Sequence, residues 1–429
     1  MEALRLGIAG LGTVGAGLVS VVQNNAALLR SRCGRDVQIV AVNARDRARD
    51  RGVDLSAYRW VDDARELIGA DDIDVVVELI GGEDGIALEL VEGALKAGQH
   101  VVTANKALLA VHGTRLAEAA DATGVHVGFE AAVAGGIPII KGLREGLAGN
   151  RITRLYGILN GTSNYIMTAM RDEGSPFDEV LAEAQRLGYA EADPALDIGG
   201  GDAAHKLAVL ASLAFGRPVD FDSVHVEGIQ AITPMDIEFA REFGFCVKLL
   251  GIAQVSEHGI EQRVHPCMVP QTGPIAPVDG VFNAVVVEGD AVDVTTFIGR
   301  GAGAGPTASA VVADIVDIAR GLRLPFYNVP VSDLVATPAA PIERRHGAYY
   351  IRLMVMDRPG VIAEVSAILR DENISVESLL QRGRDPEEVV PLVMTTHEAD
   401  EDAMLRALKR FGDLDAVSEP PMTIRIEDL

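Results

Sequence analysis

Apolar residues in the first quarter of the chain form short runs separated by glycine turns and by helically spaced segments. The run at 4–9 passes through three glycines and continues with apolar positions three and four apart, which predicts a strand, a turn and a helix. Further buried strands are predicted within 37–42, 73–82 and 100–110. This alternation predicts an α/β fold, with a Rossmann-type doubly wound parallel sheet.

The first turn has the GxGxxG spacing that dinucleotide-binding folds place between a strand and a helix. Gly10 permits the tight turn, Gly12 lets a pyrophosphate approach the backbone, and Gly15 lets the helix pack on the strand. A glycine-rich turn without a ligand is the alternative. The predicted nucleotide contacts in this turn are Gly10, Leu11, Gly12, Thr13, Val14 and Gly15.

The end of the second strand bears on the choice between NAD and NADP. Asn43 stands where an NAD-specific fold normally has an acid, and Arg45 follows within reach of a 2′-phosphate. NADP is therefore favoured, with NAD left open. The next arginines alternate with Asp46 and Asp50, and we expect them to be solvated.

The segment 188–206 gathers acids, glycines and one lysine. Asp202 and Lys206 lie four apart on a predicted helix that ends at Gly216, and therefore share a face. Taken singly, Asp202 could be a helix cap and Lys206 an exposed cation. Together with the preceding acids they suit a small amino acid, because carboxylates hold its ammonium and a lysine protonates the oxygen of a carbonyl that receives a hydride. Lys106, at the end of a strand, could reach the nicotinamide or a substrate carboxylate.

The carboxyl-terminal part begins with a proline-punctuated stretch, 324–347, which predicts a linker. The remaining residues, 348–429, predict the order strand, helix, strand, strand, helix, strand, which is typical of a ferredoxin-like sandwich.

Composition narrows the function further. The formal charge of −24 argues against nucleic acid and anionic membranes as partners. The three cysteines form no disulfide framework, and no apolar run approaches ~20 residues, so we expect a cytoplasmic protein without a membrane segment.

Several stretches together resemble a known family. "GLGTVG", "TANKALLA", "EAAVAGGIPII", "GILNGTSNYI", "LGYAEADPALDIGGGDAAHKLAVLA" and "GRGAGAGPTASAVVADI" resemble homoserine dehydrogenase across about residues 4–320. "DRPGVIAEVSAIL" gives the last segment its resemblance to an ACT domain, a family that binds amino acids at paired-domain interfaces. The resemblance implies reversible NAD(P)H-dependent interconversion of aspartate 4-semialdehyde and homoserine, in threonine, methionine and isoleucine biosynthesis.

The resemblance also implies roles for particular residues. Lys206 would be the proton donor, assisted by Lys106, and Gly303 would lie near the cofactor. The substrate would be bound by Gly188, Glu191, Asp197 and Asp202. A monovalent cation, Na⁺ or K⁺, would be held by Glu130, Val133, Gly135 and Ile137. An effector, most plausibly threonine, would lie near Gly360, Asn373 and Gln381, and the enzyme would be a homodimer or a larger homo-oligomer.

The expected architecture has three domains. A dinucleotide-binding domain spans 1–130, with 301–322 returning to it, and an α+β catalytic and dimerisation domain spans 131–300. A linker at 323–347 then leads to the ACT domain, 348–429, whose removal we expect to leave activity intact.

Three alternatives remain open from the sequence. The protein could be an amino-acid sensor with an inert dehydrogenase part, or a 2-hydroxy-acid dehydrogenase, although the middle region lacks the histidine, carboxylate and arginine set of such enzymes. The ACT segment could also be a dimerisation module without a ligand.

Overall fold

The computed structural model describes residues 2–382 and 388–429. Its amino-terminal part is built on six parallel strands in the order β3-β2-β1-β4-β5-β6. The elements are β1 (Leu4–Ala9), α1 (Thr13–Asn24), α2 (Ala26–Cys33), β2 (Val37–Asn43), β3 (Arg59–Trp60), β4 (Val75–Glu78), α3 (Ile86–Lys96), β5 (His100–Thr103), α4 (Lys106–Thr123) and β6 (Val127–Gly128). The central strands are buried on both faces, which explains their nearly continuous apolar sequence and confirms the doubly wound prediction.

The middle of the chain forms an α+β layer. Its elements are α5 (Ile139–Lys141), β7 (Ile152–Ile158), α6 (Gly161–Glu173), α7 (Phe177–Arg186), α8 (Ala195–Ile198), α9 (Gly201–Phe215), β8 (His225–Val226), α10 (Pro234–Glu242), β9 (Phe245–Ser256), β10 (Gly259–Pro270), β11 (Phe282–Gly289) and β12 (Asp293–Arg300). Helix α9 begins and ends as the apolar spacing predicts, and Gly216 closes it with φ 60°. Because α9 is buried along most of its length, its charged residues are buried with it.

The next helix, α11 (Ala304–Arg320), returns to the nucleotide-binding sheet. It packs on α1, where a Cβ at Gly17 would lie 2.6 Å from the Ala304 carbonyl oxygen, so only glycine permits this approach.

The carboxyl-terminal part has the predicted ferredoxin-like topology, with the strand order β17-β13-β15-β14. Its elements are β13 (His346–Met356), α12 (Val361–Asp371), β14 (Val376–Gln381), β15 (Val389–Thr396), β16 (Ala399–Asp400), α13 (Glu401–Gly412) and β17 (Met422–Ile426). One apolar cluster lies between this sheet and its two helices.

Two features join this part to the middle layer. Strand β17 pairs in parallel with β10, so both parts share one eleven-stranded sheet. The stretch predicted as a linker, 323–347, packs against the rest of the protein. Tyr327 is fully buried, and the Ala340 amide donates to the Ile260 carbonyl at 2.9 Å. Among residues 2–382 and 388–429, none of the helices combines the length and apolarity that a membrane crossing needs.

Candidate active site

The turn between β1 and α1 is shaped by its glycines. Gly10 has φ 99°, and a Cβ there would lie 2.4 Å from the Leu79 carbonyl oxygen. A Cβ at Gly15 would lie 2.0 Å from the Gly10 carbonyl oxygen. A Cβ at Gly12 would instead meet nothing within 4 Å. The turn is thus tightly packed at Gly10 and Gly15 and open at Gly12, where a pyrophosphate can approach the backbone. We call residues 10–15 the nucleotide cradle.

Two cavities flank this turn. One, of about 650 Å³, is bordered by Gly10, Leu11 and Gly12 together with residues after β2. The other, of about 590 Å³, is bordered by Thr13 and Val14. An extended dinucleotide lying over the turn would place one end in each cavity.

The first cavity has a basic wall. Arg45 borders it as predicted, but Arg49 and Arg51 border it too, whereas we expected only Arg45 there. Arg51 is held by a hydrogen bond of 3.0 Å from its Nε to the Leu11 carbonyl oxygen. Asn43 also borders this cavity, and its side-chain nitrogen is already engaged, since it donates to the Val61 carbonyl at 3.0 Å.

The second cavity contains the charged cluster. Asp202 accepts from Lys206 Nζ through Oδ2 at 2.7 Å, and its Oδ1 lies 3.1 Å from Lys106 Nζ. Lys206 also donates to the Leu159 carbonyl at 2.7 Å. Helix α9 and the start of α4 therefore bring both predicted lysines onto one buried carboxylate.

The sequence interpretation missed Asn160 as part of this cluster. Its amide donates to Asp197 Oδ1 at 2.7 Å and to Asp202 Oδ2 at 2.8 Å, while its own Oδ1 caps α6 through the Ser163 amide. The available signal was its place at the start of the predicted helix α6, where a capping asparagine is common.

The pKa values of Asp197 and Asp202 are shifted in opposite directions. Burial acts to raise the pKa of Asp202, but the charges of Lys206 and Lys106 outweigh it and hold that pKa well below its ordinary value. Burial raises the pKa of Asp197, and the Asn160 hydrogen bond only partly offsets this. Asp202 is therefore the fixed negative charge of the cavity.

The remaining predicted residues of this region lie around the same cavity. Glu191 and Gly188 border it from an exposed loop, and Gly303 borders it at the start of α11 with φ 127°. The Glu191 carboxylate has no hydrogen-bond or ion-pair partner within the part of the chain that the structure describes, so it is available to a ligand.

The predicted cation loop borders this cavity through Ala134 and Gly135. Glu130 is buried, but its two carboxylate oxygens accept from the Ile140 and Lys141 amides, each at 2.9 Å, so they cap α5. Ala134 has φ 52° and bends the chain between Val133 and Gly135. The Ile137 carbonyl accepts from the Ile139 amide at 2.8 Å. Burial and the neighbouring Asp314 raise the pKa of Glu130 to about 7.

The predicted effector residues do not all meet. Gly360 and Gln381 border one cavity of about 670 Å³, in which Gln381 donates to Asp357 at 3.2 Å. Asn373 lies beyond the opposite end of α12, an 11-residue helix about 16 Å long. Within one chain, Asn373 is therefore separate from this cavity, whereas the expected grouping concerns an interface between paired ACT domains.

Comparison with known proteins agrees with this geometry. The family model for homoserine dehydrogenase matches residues 138–316, the model for its NAD-binding domain matches 10–130, and the ACT domain model matches 349–414. The homoserine dehydrogenase of Pseudomonas aeruginosa is 46% identical over 436 residues, covering 100% of both chains. That of Neisseria gonorrhoeae is 45% identical over 435 residues, again covering 100% of both.

Solved structures give the same result. The homoserine dehydrogenase of Thiobacillus denitrificans superimposes with a TM-score of 0.94 at 47% identity, covering 99% of this chain and 98% of that one. A hyperthermophilic archaeal homoserine dehydrogenase in complex with NADPH superimposes with a TM-score of 0.64 at 25% identity, covering 74% of this chain and 97% of that one. The nucleotide cradle, the lysine-carboxylate cluster and full-length similarity thus agree, and the chain belongs to the homoserine dehydrogenase family.

Proposed function

We propose that the reaction of this enzyme, reversible reduction of aspartate 4-semialdehyde to homoserine, takes place in the cavity that Thr13, Lys106 and Lys206 border. The observation that carries this assignment is the position of Asp202, which holds both lysines next to the nucleotide cradle. A bound nicotinamide cofactor supplies the hydride that the carbonyl carbon accepts.

Lys206 is the proton donor in this proposal. As the carbonyl carbon gains the hydride, the Lys206 ammonium gives its proton to the oxygen, and water returns a proton to the neutral amine. Before transfer, hydrogen bonds to Asp202 and to the Leu159 carbonyl hold the ammonium group in place. Lys106, on the other oxygen of Asp202, supplies a second positive charge that stabilises the developing alkoxide.

The acids bind the substrate ammonium. The Glu191 side chain borders the cavity and has no hydrogen-bond or ion-pair partner among the described residues. Asp197 accepts a hydrogen bond from the Asn160 side-chain amide. Gly188 allows the loop to turn with φ 77°. Because all of these residues are present, a sensor with an inert dehydrogenase part is the less favoured alternative.

Replacing the proposed donor tests this assignment. We expect Lys206→Ala to lower kcat by about 10³-fold, while the Kd for NADPH stays close to that of the unchanged enzyme. Lys96→Ala is the control, since Lys96 is an exposed lysine paired with Glu92 on α3. Unchanged turnover of Lys206→Ala with aspartate semialdehyde would falsify the role of Lys206.

We also propose that NADP is the preferred cofactor. The arginine wall of the first cavity and the absence of an acid at Asn43 support this preference.

We propose that a monovalent cation, Na⁺ or K⁺, lies against the loop from Glu130 to Ile137. The backbone carbonyls of Val133 and Gly135 are the best candidate ligands, because the Glu130 oxygens already accept two amides. A cation there would favour the ionised form of Glu130, whose pKa burial and Asp314 raise to about 7, whereas Asp314 is already paired with Lys141 at 3.6 Å. Thermal unfolding in NaCl, KCl and choline chloride tests the idea, which fails if all three give the same midpoint.

We further propose that the enzyme is a homodimer and that threonine is its effector. Strand β12 ends the large sheet and exposes Val294 and Ile298 by 50% and 55%, which favours association there. Light scattering that gives only a monomer mass would exclude the dimer.

A further inference from the structure

The carboxyl ends of β4 and β5 carry three buried polar residues with no role assigned above. Glu78 and Thr103 are fully buried and Asn105 is 5% exposed. No lysine, arginine or histidine pairs with Glu78 in the described parts of the chain. A buried carboxylate without a counter-cation is costly, so its hydrogen bonds must compensate.

Glu78 organises the loop that follows β4. Its Oε1 accepts from the Ile80 amide at 2.7 Å and from the Gly81 amide at 3.0 Å. Ile80 and Gly81 border the first nucleotide cavity. One carboxylate oxygen therefore fixes a wall of the cofactor site.

Thr103 connects this carboxylate to the start of α4. Its hydroxyl donates to Glu78 Oε2 at 2.6 Å and accepts from the Asn105 amide at 3.0 Å. Asn105 then caps α4 by accepting from the Leu108 amide at 3.1 Å, and its side-chain amide donates to the Gly82 carbonyl at 2.6 Å. The hydrogen bonds close a ring, because Gly82 belongs to the loop that Glu78 holds.

Lys106 is the first residue of this helix, directly after the ring. We propose that Glu78, Thr103 and Asn105 are positioning residues that hold the cofactor wall and Lys106 as one unit, with Thr103 as the junction. The ring keeps Lys106 directed at Asp202 when a nucleotide occupies the neighbouring cavity. The inference rests on the role of Lys106 proposed above.

Two substitutions at Thr103 separate its hydroxyl from its shape. Thr103→Val keeps the shape and removes both hydrogen bonds, whereas Thr103→Ser keeps the hydroxyl. In the full chain we expect Thr103→Val to lower kcat/KM for aspartate semialdehyde at least about tenfold and to raise the Kd for NADPH several-fold. Fluorescence titration without substrate measures that Kd. We expect Thr103→Ser to restore both values to within about twofold of the unchanged enzyme.

Thr396→Val is the matched control. Thr396 is also fully buried, and its hydroxyl accepts from the Tyr349 amide at 3.1 Å in the carboxyl-terminal part. We expect this variant to lose stability without a change in NADPH binding or kcat/KM.

The proposal is overturned if Thr103→Val keeps both values, or if Thr103→Ser loses as much as Thr103→Val. If Thr103→Val does not fold, Thr103→Ala replaces it, because it also removes both hydrogen bonds, and an unchanged NADPH Kd in Thr103→Ala overturns the proposal equally. Full turnover by Lys206→Ala would instead contradict the proposed function and leave the NADPH Kd comparison valid.

Discussion

Asp202 shows how far single-residue reasoning extends in this chain. Its pairing with Lys206 follows from a spacing of four on one helix, which the sequence displays directly. Its second partner, Lys106, lies on a different element of the fold, and no local pattern joins the two. Sequence reasoning therefore selected both lysines through separate motifs, and only the packing of α4 against α9 shows that they share one carboxylate.

Arg45 allows a test of cofactor choice at the same scale. We expect Arg45→Ala to raise the KM for NADPH about tenfold and to change the KM for NADH less than about twofold, because only NADPH carries the 2′-phosphate. Steady-state rates with both cofactors in one preparation provide the measurement. Arg30→Ala, at an exposed arginine beside Asp36, is the control. An equal change in both KM values would contradict the assignment.

At the scale of elements, the pairing of β10 with β17 encloses a dense charged cluster. Arg425 on β17 binds Glu401 and, at 2.9 Å, Glu227. His265 on β10 is fully buried among these groups. Burial, followed by the charge of Arg425, lowers the pKa of His265 to about 3. The ring is therefore neutral in the folded protein.

This neutral histidine makes the fold sensitive to acid. The unfolded chain takes up a proton near pH 6.5 and the folded chain only near pH 3, so stability is present above about pH 6.5 and falls as the pH decreases towards 3. We expect His265→Gln to reduce this slope by at most about 1.4 kcal/mol per pH unit in that window. Thermal or urea unfolding at several pH values measures it.

Two other histidines calibrate that measurement. His126 is also buried with a pKa of about 3, so part of the acid slope should remain in His265→Gln. His258 is exposed in the turn between β9 and β10, and His258→Gln should leave the slope unchanged. If His265→Gln and His258→Gln have equal slopes, the buried ring is not the cause.

The elements themselves were largely predictable, but some of their contacts were not. The GxGxxG turn, helix α9 and the carboxyl-terminal strand order follow from glycine positions and apolar periodicity. The pairing of β17 with β10 does not, because strand partners distant in sequence are chosen by edge geometry rather than by local pattern. The distance between Gly360 and Asn373, by contrast, follows from the predicted helix between them, because 11 helical residues span about 16 Å.

At the scale of the whole molecule, the shared sheet changes one expectation. We expected the ACT domain, 348–429, to be dispensable for activity. Its removal would instead expose the edge of β10 and leave Glu227 and Arg263 without their partners Arg425 and Glu427. Because Tyr350, Ile424 and Ile426 also belong to the apolar core of the middle part, we expect a truncated chain to be less stable and therefore a poor test of regulation.

A point change is the better test of threonine as effector. We expect L-threonine to inhibit the full-length enzyme, and Gln381→Ala to need about tenfold more threonine for half-inhibition, because Gln381 borders the cavity next to Gly360. Activity without threonine should not change. Gln38→Ala, at an exposed position on β2, is the control. A full-length enzyme insensitive to threonine would exclude this effector.

The place of β17 as the last strand has a practical consequence for anyone producing this enzyme. Its partner strands, β10 and β13, are both synthesised before it, so they lack their shared neighbour until residues 422–426 have been made. A stop codon ahead of β17 would therefore remove one neighbour from each strand, although β9 still pairs with β10 and β15 with β13.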